Sequence, residues 1–376
     1  MKNINRVLRL EIPQNRTYGL DITRAAAILF VVLSHGNYLL PPRISKYINY
    51  FLLDGVTIFF VLSGFLIGRI LLRVFEKEQV SFGSLKNFWI RRWFRTLPIY
   101  FFILILLTLL HIIFSPTFET RWMLSYATFT QNINWVHPWF FPEAWSLSIE
   151  EWFYIITPIL IYVLTKVFNL KVKLSFSIVI LFILSASLFI RFLKFSELET
   201  PDPLIWDGVF RKTVLTRLDS IIVGVWGAYL YYYKRKLWDK YQKPLLVLGL
   251  AAMVIVEKVA NLSSWSLYNY VFSFTLIPFF ILLTFPFFSN WQKSKGNVYK
   301  GITVISLISY SLYLIHLTLI QGFLVKFFPV NFQESWSTTS IRYLSYWTIS
   351  IVVSMLLYKY IEKPMIQYRE HFSSNH

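Results

Sequence analysis

Three of the chain's six histidines, His35, His111 and His316, fall inside long apolar stretches. Such a placement is costly unless the imidazole faces protein or water. His35 lies between Ser34 and Gly36. Near pH 7 a neutral imidazole can take the proton of an alcohol that attacks a carbonyl, which is general-base catalysis. The small Gly36 is read as leaving room for a substrate beside the ring. His111 reads as an interhelical hydrogen-bonding group. Glu150 and Glu151 occur in AWSLSIEEWFY (144–154); either Glu150 or Glu151 is a candidate to orient the His35 imidazole, as an acid does in nucleophile-activating triads. For Glu151 the plain alternative is a favourable position in a first helical turn.

A second set of side chains is cationic. Arg24 stands a turn inside an apolar stretch, Arg69 and Arg73 close another, and Arg91, Arg92 and Arg95 form the run IRRWFR. Guanidinium forks bind phosphates in bidentate fashion, so such a cluster suits a phosphorylated substrate; simple anchoring at a cytoplasmic face is the bland alternative. Ser63, Gly64 and Gly68 either pack two helices closely or line a passage for a thin acyl-pantetheine arm. Asp54, Arg217, Asp219, Tyr310 and His316 complete the list of polar groups in apolar surroundings, as substrate-contacting or structural candidates.

Several chemistries are excluded or disfavoured. The chain has no cysteine, so a thiol nucleophile, a thiolate metal site and disulfides are ruled out. No GxSxG elbow surrounds any serine, and the HxxxxD pattern fails because Leu40, Pro142 and Gln321 occupy the acidic position after His35, His137 and His316. No HExxH occurs and no second histidine follows His35 at a ligand spacing, so no metal is expected.

The elements that must position these groups are set by composition. With 56% hydrophobic and 15% charged residues across 376 positions, the chain does not resemble a soluble domain, in which about a quarter of the residues are charged. Apolar runs of roughly 20 residues, the thickness of a bilayer, recur throughout. They predict an all-α integral membrane protein with about ten transmembrane helices, at roughly 20–40, 50–73, 97–114, 144–165, 174–193, 213–233, 243–259, 266–288, 300–325 and 339–361. With those spans the intervening segments, taken together with the residues at the span edges, alternate sharply in charge: one set carries 25 Lys and Arg and the other 9, while Arg24, Arg217 and Arg342 remain deeper within spans. The basic set is cytoplasmic, so both termini are expected in the cytoplasm. The net charge of +18 thus belongs to membrane topology, and no nucleic-acid partner is expected. Residues 1–376 are read as one membrane domain, its first helix an uncleaved anchor.

Topology sorts the polar groups by depth. Helix 1 runs outward, so Arg24 lies near the cytoplasmic face and His35 near the outer one, roughly 16 Å apart along the axis at about 1.5 Å per residue. Asp54, Glu150, Glu151, Arg217, Asp219, Tyr310 and His316 fall in the outer half, and Arg69, Arg73, Arg91, Arg92 and Arg95 in the inner part. An acid-base layer outside and an arginine layer inside are therefore expected.

The ordered motifs TRAAAILFVVLSHG (23–36), DGVTIFFVLSGFLI (54–67), WIRRWFRTLPIY (89–100), WSLSIEEWFY (145–154), RLDSIIVGVWGAY (217–229) and SYSLYLIH (309–316) resemble the bacterial membrane-bound acyltransferase-3 family over nearly the entire chain. The resemblance implies an O-acyltransferase of the bacterial cytoplasmic membrane. Such enzymes move acetyl or another short acyl group from cytosolic acyl-coenzyme A to hydroxyls of surface glycans such as lipopolysaccharide, exopolysaccharide or peptidoglycan. It further implies that His35 is catalytic, that Arg24 helps hold acyl-coenzyme A, and that Glu150 is the family's helix-4 glutamate. Ser63 and Gly64 match its SGF element, and Arg91, Arg92 and Arg95 its basic cytoplasmic element. Many relatives carry an SGNH-type domain after the membrane part, and none is read within these residues.

The expected partners are membrane lipid and a cell-surface or lipid-linked carbohydrate acceptor. The rival expectation is a polytopic transporter of a glycan precursor or small metabolite, because intramembrane acids, arginines and histidine also build substrate pathways. The paired, Gly/Pro-interrupted spans of an inverted repeat are not evident in the sequence.

Overall fold

A computed structural model describes residues 10–13, 16–77, 80–114, 122–262, 267–331 and 335–372. They form helices and connecting turns, with no strand among them. In lipid every backbone N–H and C=O must find an internal partner, which a helix provides within itself. The long helices are α1 (Tyr18–Gly36), α2 (Gly55–Lys77), α3 (Phe82–Phe114), α4 (Ala144–Tyr162), α5 (Val172–Ser196), α6 (Leu218–Tyr233), α7 (Gln242–Leu262), α8 (Ser273–Asn290), α9 (Asn297–Ile315) and α10 (Trp336–Leu357).

Among the described residues, eight helices are long and apolar enough to cross a membrane. The sixth and seventh predicted spans are met by shorter elements: α6 has 16 residues, and the apolar part of α7 runs over Gln242–Val256. The second predicted span is divided. Residues Pro42–Phe51 form a separate helix with no buried side chain, and α2 starts only at Gly55. The Asp54 carboxylate accepts the Val56 N–H at 3.0 Å, the Thr57 N–H at 3.4 Å and the Thr57 hydroxyl at 2.7 Å, which satisfies free donors at the start of that helix. The third span is longer than expected. At 33 residues α3 extends about 50 Å, well beyond the hydrocarbon core, and its first half carries Arg91, Arg92 and Arg95.

The bundle is apolar outside and polar within. Leu181, Phe182 and Phe189 on α5 and Val247, Leu248 and Ile255 on α7 are exposed, whereas Asp21, Glu151, Arg191, Arg217, Asp219, His316 and Glu362 are buried. Lipid gives helices no hydrophobic reason to associate, so close backbone approach and internal polar bonds hold them together. At the centre α2 packs on α6. A Cβ added at Gly64 would fall 1.9 Å from the Ile221 carbonyl oxygen, and one at Gly224 2.1 Å from that of Val61. Around this pair α1 packs on α2 and α9, α8 on α6 and α7, and α5 on α6. The start of α1 is tied to α9 by Asp21, which accepts from Arg16 Nε at 2.9 Å and from Ser306 Oγ at 2.8 Å. These contacts place the full length of α1, with Arg24 at one end and His35 at the other, inside the bundle.

Candidate active site

The His35 ring meets His316, not a glutamate. His35 Nδ1 and His316 Nε2 are 2.7 Å apart, and the rings stack with centroids at 5.0 Å. The protons follow from the outer contacts. His316 Nδ1 lies 2.8 Å from the Tyr313 carbonyl oxygen and 3.1 Å from that of Leu312. Carbonyls only accept, so Nδ1 of His316 carries its proton and Nε2 is the acceptor. His35 must then donate from Nδ1, which leaves its Nε2 as a free lone pair.

Local structure holds this pair. Past Ile315 the chain widens into a π-helical turn, His316–Gln321, a form that concentrates at functional sites. The Thr318 N–H and hydroxyl exposed by this turn donate to the buried Glu143 carboxylate at 2.7 and 2.5 Å. The same turn carries Gln321, whose side-chain amide donates to the His35 carbonyl at 2.7 Å, while Tyr346 donates to that of Val32 at 3.1 Å. Gly36 does not provide substrate space, contrary to the sequence reading: a Cβ there would lie 2.8 Å from the Tyr346 ring.

Glu150 sits elsewhere. Its carboxylate accepts from Tyr154 at 2.6 Å and Ser63 at 3.4 Å, and the Ser63 and Tyr154 hydroxyls are 2.8 Å apart. The expected Glu150–His35 contact is therefore replaced by His316–His35, because α9 and not α4 faces the end of α1. Glu150, Ser63 and Tyr154 line an internal cavity together with Arg24, Arg92 and Arg95. Among the described residues none of these three guanidiniums makes a hydrogen bond or ion pair, and that of Arg92 lies over the Tyr154 ring at 5.9 Å. Tyr310 lines the same cavity and donates to the Thr96 carbonyl at 2.9 Å. Tyr313 links the cavity wall to the histidines, its ring centroid being 6.0 Å from that of His316 and its hydroxyl bonded to Ser146 Oγ at 2.7 Å and the Glu143 carbonyl at 3.1 Å. His35 itself is outside the lining.

Other candidates make contacts between helices. Gly64 lies against α6 in close packing and is not among the cavity-lining residues. Glu151 is buried and accepts from Trp93 Nε1 and Thr96 Oγ1, both at 3.1 Å, which joins α4 to α3. Asp219 is paired with Arg191 at 2.7 Å, both fully buried, and accepts from Thr275 at 2.5 Å. Arg191 stands at the edge of the fifth predicted span, and only packing reveals it as an interior residue. Arg217 donates to Thr57 Oγ1 at 2.9 Å with its guanidinium 4.6 Å over Phe274. Arg69 lies over Tyr231 at 4.7 Å, outside the cavity lining.

Sequence reasoning also missed Asp207, Arg211 and Lys212, which precede α6. Arg211 donates to Asp207 at 2.8 Å and approaches Asp54 at 3.9 Å, while Lys212 donates to Asp207 at 2.5 Å. Burial works to raise the Asp207 carboxyl, but Arg211 and Lys212 outweigh it and hold the group below the usual carboxylate range. In the connection before α4, burial and then Lys212 push the His137 imidazole down to about 3. No group of three His, Asp or Glu side chains is placed to hold a metal ion among the described residues.

Residues 17–359 match the family described as an acyltransferase domain, acyltransferase-3. The chain belongs to the acyltransferase-3 family. It is 31% identical over 180 residues to a peptidoglycan O-acetyltransferase of Listeria monocytogenes, a match covering 44% of this chain and 26% of that one. It is 26% identical over 377 residues to a putative O-acetyltransferase of Staphylococcus aureus, covering 92% of this chain and 56% of the other. An O-acetyltransferase of the same species is 23% identical over 368 residues, covering 92% and 57%. The chain thus spans little more than half the length of the longest-matching of these curated relatives. No solved structure matches it.

Proposed function

We propose that this acyltransferase-3 chain is an O-acyltransferase of the bacterial cytoplasmic membrane, with both termini in the cytoplasm. It moves an acyl group, acetyl in the first instance, from cytosolic acyl-coenzyme A to a hydroxyl of a cell-surface or lipid-linked carbohydrate. The relatives whose names specify O-acetylation, one of them of peptidoglycan, support the reaction class. The observation that carries the reading is the cavity on which Arg24, Arg92 and Arg95 converge, their guanidiniums without hydrogen-bond partners among the described residues. Three unspent guanidiniums beside one internal space fit the phosphates of a nucleotide head.

The mechanism follows from this chain's own groups. Arg24, Arg92 and Arg95 would hold the phosphates at the inner end, and Ser63, Tyr154 and Tyr310 border the space through which a thin arm reaches outward. The bound thioester supplies the activated acyl carbonyl. At the outer end His316 holds His35 in the tautomer whose Nε2 is unprotonated, so Nε2 takes the proton of the acceptor hydroxyl as that oxygen bonds to the acyl carbonyl carbon, and His35 returns the proton to the coenzyme A sulfur as the C–S bond breaks and the thiol leaves. The positive charge formed on His35 stays hydrogen-bonded to His316 through Nδ1. Glu150 lies in the donor cavity and acts there, at the Ser63–Tyr154 pair, rather than on His35. Arg91, outside the cavity lining, contributes to the basic cytoplasmic surface.

Purified protein in lipid nanodiscs, given acetyl-coenzyme A and a glycan oligomer, should release free thiol with formation of an ester on the sugar. A correctly folded His35→Ala protein that transfers at the wild-type rate refutes the assignment.

A further inference from the structure

Near His35 the chain builds a row of alternating charges. α2 abuts α1 so tightly that a Cβ on Gly55 would lie 2.2 Å from the Ala27 carbonyl oxygen and 2.9 Å from Val31. His35 stands one helical turn beyond Val31 on the same face, about 6 Å further out. Asp54, immediately before Gly55, is therefore its neighbour in depth. From Asp54 the row continues through Arg211 at 3.9 Å to Asp207 at 2.8 Å and Lys212 at 2.5 Å. These four side chains retain exposures of 32%, 24%, 32% and 19%, so they are ordered by one another yet open to a ligand. Two indoles adjoin the row, Trp145 buried beneath it and Trp139 at the surface. Arg211 lies 5.0 Å over the Trp145 ring, and Lys212 is 5.6 Å from the Trp139 ring, which is 79% exposed.

Resting on the function proposed above, we infer that Asp54, Arg211, Asp207 and Lys212, with Trp139 as an aromatic platform, form the subsite that binds the acceptor sugar and presents its hydroxyl to His35. A sugar ring offers adjacent hydroxyls that both donate and accept, together with a weakly polar C–H face. Alternating carboxylates and cations meet the first need and an exposed indole the second. An ion-pair row kept only for stability would gain little at this exposure. Asp207 and Arg211 belong to a π-helical turn, Trp206–Arg211, which sets both on the connection immediately before α6.

The test uses the full chain in nanodiscs carrying His35→Ala, so that binding is read without turnover, titrated calorimetrically with a soluble β-1,4-linked N-acetylglucosamine tetramer. Adding Asp207→Asn should raise the Kd at least tenfold. Trp139→Ala, at a position too exposed to affect folding, should do the same. Trp336→Ala, an interfacial indole that is 65% exposed on α10, should leave it unchanged. The proposal is overturned if the first two variants bind as the His35→Ala parent does, if Trp336→Ala weakens binding equally, or if the parent binds no tetramer. Failure of the broader function looks different: the tetramer binds with this residue dependence, yet protein with His35 intact never esterifies it.

Discussion

Replacing His316 by phenylalanine tests the proton arrangement at the site. The substitution keeps an aromatic ring against His35 but removes the acceptor for its Nδ1–H, the 2.7 Å contact to His316 Nε2. A hydrogen bond between neutral groups is worth about 0.5–1.5 kcal/mol net, which corresponds to roughly a two- to thirteen-fold loss in rate. Freed of its partner, His35 also samples the tautomer with Nε2 protonated, which cannot accept. Removing a general base costs about 10²–10⁴-fold. His316→Phe should therefore lower kcat by roughly an order of magnitude or less with KM for acetyl-coenzyme A unchanged, whereas His35→Ala should lower it at least a hundredfold. In the double variant the loss should equal that of His35→Ala alone, since a positioning residue has nothing left to position. The assay is ester formation on a glycan oligomer by purified protein in nanodiscs. The reasoning fails if His316→Phe is as damaging as His35→Ala, or if the two losses multiply in the double variant.

Arg24→Gln should raise the KM for acetyl-coenzyme A tenfold or more in steady-state kinetics, because a hydrogen bond to a charged partner contributes about 1.5–3 kcal/mol; an unchanged KM would place the phosphates elsewhere. Gly64→Val inserts atoms where even a Cβ would sit 1.9 Å from a backbone oxygen. Overpacking of this kind costs at least about 1–3 kcal/mol, so the melting temperature in detergent should fall by several degrees or the protein should not assemble. Arg191→Met strands a fully buried Asp219 carboxylate and should destabilise by about 3–5 kcal/mol, whereas Arg191→Met with Asp219→Leu should recover most of that loss. A double variant no more stable than the single one would contradict this account.

The membrane architecture was legible because it depends on composition. A bilayer demands about 20 apolar residues per span, so nearly every helix announces itself, and charged residues inside such runs mark themselves as interior. Arg24, His35 and Glu150 stand out in this way, and the regular rise of α1 gives the separation of Arg24 and His35 along its axis. Periodicity along one helix does not say which other helix faces it. Packing alone decided that His316 rather than Glu150 bonds His35, that Tyr346 fills the space beside Gly36, and that Arg191 closes on Asp219. The loop charges Asp207, Arg211 and Lys212 were indistinguishable in sequence from ordinary topology signals. Sequence thus marked most of the segments that leave water, a matter of transfer free energy along the chain; the fold decided which residues meet, a matter of close contacts between segments hundreds of residues apart.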